Sequence, residues 1–220
     1  MPEDDTNTMR PLPGLGNGSA SVRLRAALAA GTTPDPRFVD ALLERCAIEP
    51  EFSVRDMLTW ALTRHSSSMV VPKVIGELRS ERAQARSQAL HTLSKIGDRR
   101  AWPAITRALL TDTDDEVARS AWRAAVVLVP EGAEPELAAV LTTQLGRGGR
   151  ETQLSLSRAL VGLGEVSTRA LRAAMADLDP CVRHHALATE QMLRNPDAAS
   201  DFAIEEAKRT VALGTTSEEG

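Results

Sequence analysis

The sequence predicts an all-α fold, a stack of about six helix pairs, and three observations carry that expectation. Val54-Arg55 is answered thirty-one residues on by Ala85-Arg86, and Pro72-x-Val74-x-x-x-Leu78 is answered at the same distance by Pro103-x-Ile105-x-x-x-Leu109. The first core-facing position of each leading helix recurs at Val22, Val54, Ala85, Val117, Thr152 and Val182, with gaps of 32, 31, 32, 35 and 30 residues. From each start, apolar or small residues return at +4, +7 and +11, the period of an amphipathic helix and not of a strand. The third copy gives Ala89, Thr92 and Ile96; the fourth, Ala121, Ala124 and Leu128; the fifth, Leu156, Ala159 and Leu163. Units of this length bury their apolar faces on one another.

Residues 1–20 are rich in Pro, Gly, Asn, Asp and Thr without apolar periodicity, so a disordered leader is expected there. The first helix, VRLRAALAA, is expected to start from Ser21 as N-cap and to stop at Gly31. Each trailing helix carries a proline signature: Pro36-x-Phe38-x-x-x-Leu42, the two copies above, and Pro135-x-Leu137-x-x-x-Leu141. That places proline in the first helical turn, where its missing N–H costs nothing. Leu171 and Met175 keep a weaker version in the fifth unit, and Ser53-x-x-Asp56 reads as a capping pair. The sixth unit ends in DFAIEEAKRTVALG, a charged amphipathic helix suited to closing the stack, with Glu190 where earlier copies are apolar. The expected organisation is a single solenoid over residues 21–213 and a disordered tail over 214–220.

Of 220 residues 42% are hydrophobic and 25% charged, as in an ordinary globular protein, but aromatics are only 3% and tyrosine is absent. The core must be aliphatic and alanine-rich. A net charge of −4 predicts no general affinity for nucleic acid or membrane. Cys46 and Cys181 fit no zinc or redox spacing and read as semi-buried thiols in a reducing compartment. No apolar run approaches the ~20 residues of a membrane span, and the acidic opening MPEDDTNTMR has no secretory character. A cytoplasmic monomer is expected.

The chain resembles the HEAT-repeat family, specifically the short bacterial HEAT-like units of the phycobilisome-lyase type. The residues that carry the resemblance are Val22-Arg23, Val54-Arg55, Asp179-Pro180-x-Val182-Arg183 and the endings Leu93…Ile96-Gly97 and Leu160…Leu163-Gly164. The resemblance implies a right-handed superhelix with leading helices in a convex layer, which would hold Trp60 and Trp122, and trailing helices in a concave one. It also implies that the repeated arginine links each unit to its neighbour through an acid near the preceding turn. Glu51, Asp114 and Asp179 stand three residues before three of the six starts; Ser19, Arg82 and Gly149 stand before the others.

No reaction is written in the sequence. His65, His91, His184 and His185 form no metal-ligand spacing, and the adjacent pair would point about 100° apart on a helix. His65 reads as a satisfied, half-buried histidine. The His-Glu pairs of the iron-dependent HEAT hydroxylases are missing, as are a phosphate loop, a nucleophile elbow and paired carboxylates. Neither chromophore-lyase chemistry nor base excision from DNA finds its residues here. No enzyme, metal or cofactor is expected.

Charge is uneven. Ten Lys or Arg face four acids between Ser53 and Thr111, a net of +6, which leaves sixteen cations against twenty-six acids elsewhere, or −10. Within the basic block, HEAT-like geometry implies that Lys73 and Arg107 face the concave groove of the trailing helices, with Arg99, Arg100 and Trp102 at its rim and Trp102 as an apolar anchor. The expected function is a scaffold that binds a protein partner with an acidic surface. A nucleic-acid accessory role is the alternative, and a lyase-like enzyme subunit the third. Glu77 and Asp98 are the acids able to neutralise this surface locally.

Overall fold

The computed structural model describes residues 11–195, all of whose regular elements are helical. Its contacts divide at Ala133/Glu134 into two compact units.

The first unit opens with α1 (Pro11–Leu15) and α2 (Ala20–Thr32). Residues 11–15 therefore depart from the expected disordered leader. The reason is local: Leu15 is 3% exposed, and Gly14 lets α1 approach α2 so closely that an added Cβ would stand 2.7 Å from that of Ala26. Residues 1–10 lie outside the described part. α2 begins at Ala20 rather than after Ser21, and it runs through Gly31 to Thr32. Gly31 is no stop signal. It is buried against α4 (Phe52–Thr63), where a Cβ would meet the Trp60 ring and lie 2.9 Å from Ala61 Cα.

The remaining leading helices are α4, α6 (Ala83–Ile96) and α8 (Asp115–Leu128); α2, α4, α6 and α8 pack in succession as one layer. Val54, Ala85 and Val117 are buried at their starts, and Ala89, Thr92, Ala121, Ala124 and Leu128 continue the predicted stripe. α4 starts at Phe52 with no side-chain cap, so Ser53 lies inside its first turn rather than capping it.

The trailing elements are α3 (Val39–Cys46) after a 3-10 turn Pro36–Phe38, α5 (Ser67–Glu77), and a 3-10 segment Arg99–Ala104 followed by the short α7 (Arg107–Leu110). The apolar members of the proline signature are core throughout: Phe38, Leu42, Val74, Leu78, Ile105 and Leu109 are at most 7% exposed. The prolines themselves differ. Pro36 opens its turn as expected, but Pro72 lies in the middle of α5 and Pro103 inside the 3-10 segment. In the second unit of the repeat the helix starts a full turn earlier, at Ser67, and absorbs Pro72 with the loss of one backbone hydrogen bond. In the third, the helix restarts at Thr106, whose hydroxyl accepts the Leu109 N–H at 3.4 Å.

The repeated arginine has a different partner from the one expected. Asp114 and Asp179 cap their own helices, accepting from Glu116 and Val117 and from Cys181. The arginine instead clamps the turn in front of its own helix: Arg23, Arg55, Arg86 and Arg183 each donate to two successive carbonyls five and six residues back. Where the next turn supplies an acid, it pairs with that too, as Arg23 does with Glu49 and Arg86 with Asp112. The side chains of Asn17, Glu49, Ser80, Asp112 and Asp177 each accept the N–H two residues on and close the turn.

The second unit comprises α9 (Glu134–Thr142), α10 (Arg150–Gly162), α11 (Glu165–Ala174) and α12 (Pro180–Arg194). Leu137, Leu141, Leu156, Ala159, Leu160 and Leu171 form its core. Pro135 sits in the first turn of α9, as expected. Glu190 pairs with Arg194 on α12; the whole of the predicted closing helix, residues 201–214, and the tail lie outside the described residues.

Candidate partner-binding surface

The trailing layer of the first unit carries the five residues singled out from the sequence. Lys73, on α5, is exposed and pairs with Asp40 of α3, one repeat back, and not with Glu77. Arg100 folds over Asp98, donating from Nε to both carboxylate oxygens at 3.0 and 3.1 Å. The Arg100 side chain, then its backbone N–H, hold the Asp98 carboxyl at about 2 against the opposing effect of burial. The first repeat uses the same device: Arg37 Nε reaches Asp35 at 3.0 and 3.1 Å. Both Asp-x-Arg pairs are turn locks, so Arg100 contributes less open charge than the sequence suggests.

Arg99 and Arg107 are different. Both are exposed, and neither side chain has a carboxylate or hydrogen-bond partner among the described residues. Trp102 lies between them in sequence, half-buried in the 3-10 segment that packs against α5. The structure thus separates the five into two neutralised cations, two open ones and a half-buried tryptophan that lies between the open pair in sequence.

Residues 48–126 match the HEAT repeats family, a span that begins just before α4 and ends within α8. The clamped turns and paired helices of the first unit are what such a match requires. Residues 48–126 therefore carry HEAT-like repeats. Among solved structures, similar ones include an engineered protein, 16% identical with a TM-score of 0.48, over 87% of this chain and 99% of that one. Another is the complex of CpcE and CpcF of phycocyanin lyase from Nostoc sp. PCC7120, 19% identical with a TM-score of 0.47, over 83% of this chain and 75% of that one. No curated protein sequence matches the chain.

The described residues also contain a Ser-His pair, which the sequence alone did not single out. His185 of α12 lies 3.0 Å through Nε2 from Ser157 Oγ of α10, and Ser157 Oγ is 2.8 Å from Thr189 Oγ1. His185 Nδ1 accepts the Gly146 N–H at 3.0 Å, so the ring proton sits on Nε2, which also faces the Gln153 carbonyl at 3.0 Å. A histidine in that tautomer has no lone pair to offer the serine and cannot act as its base. All three side chains are at most 3% exposed. They form an interhelical polar lock, and only the pairwise geometry of two helices twenty-eight residues apart reveals it.

The other candidates for chemistry fall into place similarly. His184 is exposed while His185 is buried, as adjacent helical residues should be. His65 is 9% exposed, with its ring nitrogens 2.9 Å from the Ala61 carbonyl and 3.1 Å from that of Asp35. The two thiols are not alike: Cys181 is exposed, whereas Cys46 is buried and burial pushes its thiol up to about 12, far from a reactive thiolate. Trp122, assigned to the outer layer, is wholly buried and donates Nε1–H to the Leu110 carbonyl at 2.8 Å. No group of three metal-ligating side chains occurs among the described residues, and no helix there is long and apolar enough to cross a membrane.

Proposed function

We propose that the protein is a cytoplasmic, non-catalytic scaffold whose trailing-helix face binds a protein partner with an acidic surface. HEAT repeats are typical of protein-interaction scaffolds. The observation that supports this face is the pair of open cations, Arg99 and Arg107, which stand on either side of the half-buried Trp102 in sequence. An exposed cation without a local acid is available to a partner's carboxylate, and a tryptophan beside it supplies the apolar contact of a hot spot. Lys73 and Arg100 would join only by leaving Asp40 and Asp98.

Crosslinking in the native cell followed by affinity capture and mass spectrometry identifies the partner. R99E/R107E should abolish its capture while leaving the melting curve unchanged, because these side chains hold nothing within the fold. Full capture by that variant would remove the trailing face as the site. A nucleic-acid accessory role is the second reading, favoured only by the +6 block. It predicts recovery of RNA or DNA in place of protein, with a steep loss of binding as salt rises.

A further inference from the structure

The leading-helix layer of the first unit presents a second cationic strip, built from two register positions of three neighbouring helices. Six and ten residues after each start stand Trp60 on α4 and Arg64 at its C-cap, His91 and Lys95 on α6, and Arg123 and Val127 on α8. Residues four apart share a helix face, and α4, α6 and α8 are neighbours. The Arg64 guanidinium lies over the Trp60 ring at 6.0 Å. Arg123 Nη2 donates to Ser120 Oγ at 3.0 Å, and neither it nor Arg64 nor Lys95 has a carboxylate partner among the described residues. Trp60 and Val127, 38% and 46% exposed, close the two ends with apolar surface.

We propose that this strip docks an extended acidic polypeptide whose carboxylates recur at every third residue. Packed helices lie roughly 8–10 Å apart, and an extended chain advances about 3.3 Å per residue. A segment in the extended polyproline-II form, whose every third side chain returns to the same face after about 9 Å, laid across α4, α6 and α8 therefore meets a new cation every third position. Contiguous acids would crowd one helix and leave the others unmatched. The apolar ends and the overall net charge of −4 favour a short peptide over a long polyanion. The strip lies on the other layer from Arg99 and Arg107 and does not depend on that reading.

His91 gives the strip a proton dependence. Burial first, then Arg123 of α8 and Lys95 of its own helix, lower its pKa; Asp56 of α4 acts in the opposite direction. It is thus neutral at pH 7.5 and gains charge on acidification, more readily once a carboxylate lies beside it.

The test is fluorescence anisotropy with two labelled ten-residue peptides of identical composition, one with glutamates at every third position and one with them contiguous. A single-stranded oligonucleotide of equal charge is the third probe. The spaced peptide should bind about tenfold tighter than the contiguous one. K95E/R123E should lose about tenfold, while R99E/R107E should match wild type. Binding should tighten from pH 7.5 to 5.5 in wild type and stay flat in H91Q. Equal binding of the two peptides, preference for the oligonucleotide, or full affinity in a folded K95E/R123E would each overturn the proposal.

Discussion

Arg23 and Glu49, twenty-six residues apart, meet through two parallel hydrogen bonds of 2.7 Å, Nε to Oε2 and Nη2 to Oε1. Arg45 donates to the same carboxylate at 2.7 Å and the Glu51 N–H at 3.0 Å, so a fully buried acid is shared by two guanidiniums and a backbone amide. Arg23 in turn holds the Asn17 and Gly18 carbonyls at 2.9 Å, tying the turn before α2 to the turn before α4. Arg86 repeats the arrangement with Asp112, whereas Arg55 has Ser80 at the equivalent place and finds no acid there, keeping its two carbonyls and lying over the Phe52 ring at 5.8 Å.

Glu49→Gln should accordingly be among the most destabilising polar substitutions in the first unit, since it leaves two cations around a site built for an anion. Burial alone would raise the Glu49 carboxyl; the bonds from Arg23, the Glu51 amide and Arg45 outweigh it and hold it at about 2. A depressed acid stabilises the fold above its unfolded value of 4.5 and loses that contribution as pH falls toward 2. Denaturant midpoints of wild type should fall through that window. The variant, already destabilised at neutral pH, should fall less.

Gly31 and Trp60 mark the closest approach of two leading helices. Gly31→Ala should cost about 1–3 kcal/mol by overpacking, because the new methyl meets both the indole ring and the Ala61 backbone. Trimming the ring with Trp60→Ala should not restore stability, since Ala61 Cα remains 2.9 Å away. Urea melts of the single and double variants decide this.

The repeat register was legible because burial follows sequence spacing: every predicted start from Val54 to Thr152 is buried, as are Phe38, Leu42, Val74, Leu137 and Leu141. What escaped depends on neighbours distant in sequence. Gly31 looks like a terminator until Trp60 is seen against it. Pro72 looks like a helix start until the preceding serines extend α5. Glu49 falls outside the expected acid positions, and the arginine clamps read as an incomplete ladder because most of their acceptors are carbonyls. For the candidate surface, composition located the basic block. Asp98 was one of the two acids expected to neutralise it; only geometry showed that Asp40, and not Glu77, takes Lys73.

The contact of α1 with α2 makes the N-terminal region a stabilising element. Leu15→Asp should lower the melting temperature by several degrees, consistent with losing about 1.5–3 kcal/mol of side-chain burial, and so should deletion of residues 1–15. Leu12→Asp, at a half-buried position of the same helix, should cost less. Unchanged melting in the Leu15 variant would mean that α1 contributes no stability.

His185 makes the second unit sensitive to mild acid. Burial lowers its pKa below 6.5, opposed by its hydrogen bond to the Gln153 carbonyl and reinforced by the neighbouring His184. With the folded pKa below the unfolded one, the unfolded chain takes up the proton first. Stability is therefore complete above about 6.5 and declines as pH falls toward the folded value. Protonation has a structural consequence as well: an imidazolium carries a proton on Nδ1, which would point at the Gly146 N–H and break the 3.0 Å bond. The decline in midpoint between pH 7.5 and 5.5 should shrink in His185→Gln, measured against wild type at each pH. His91 contributes in the same window from the first unit, so His91→Gln should remove a separate share, and the double variant should be nearly flat until the carboxylate window opens below 4.5. An undiminished acid decline in the double variant would assign it to groups other than these two histidines.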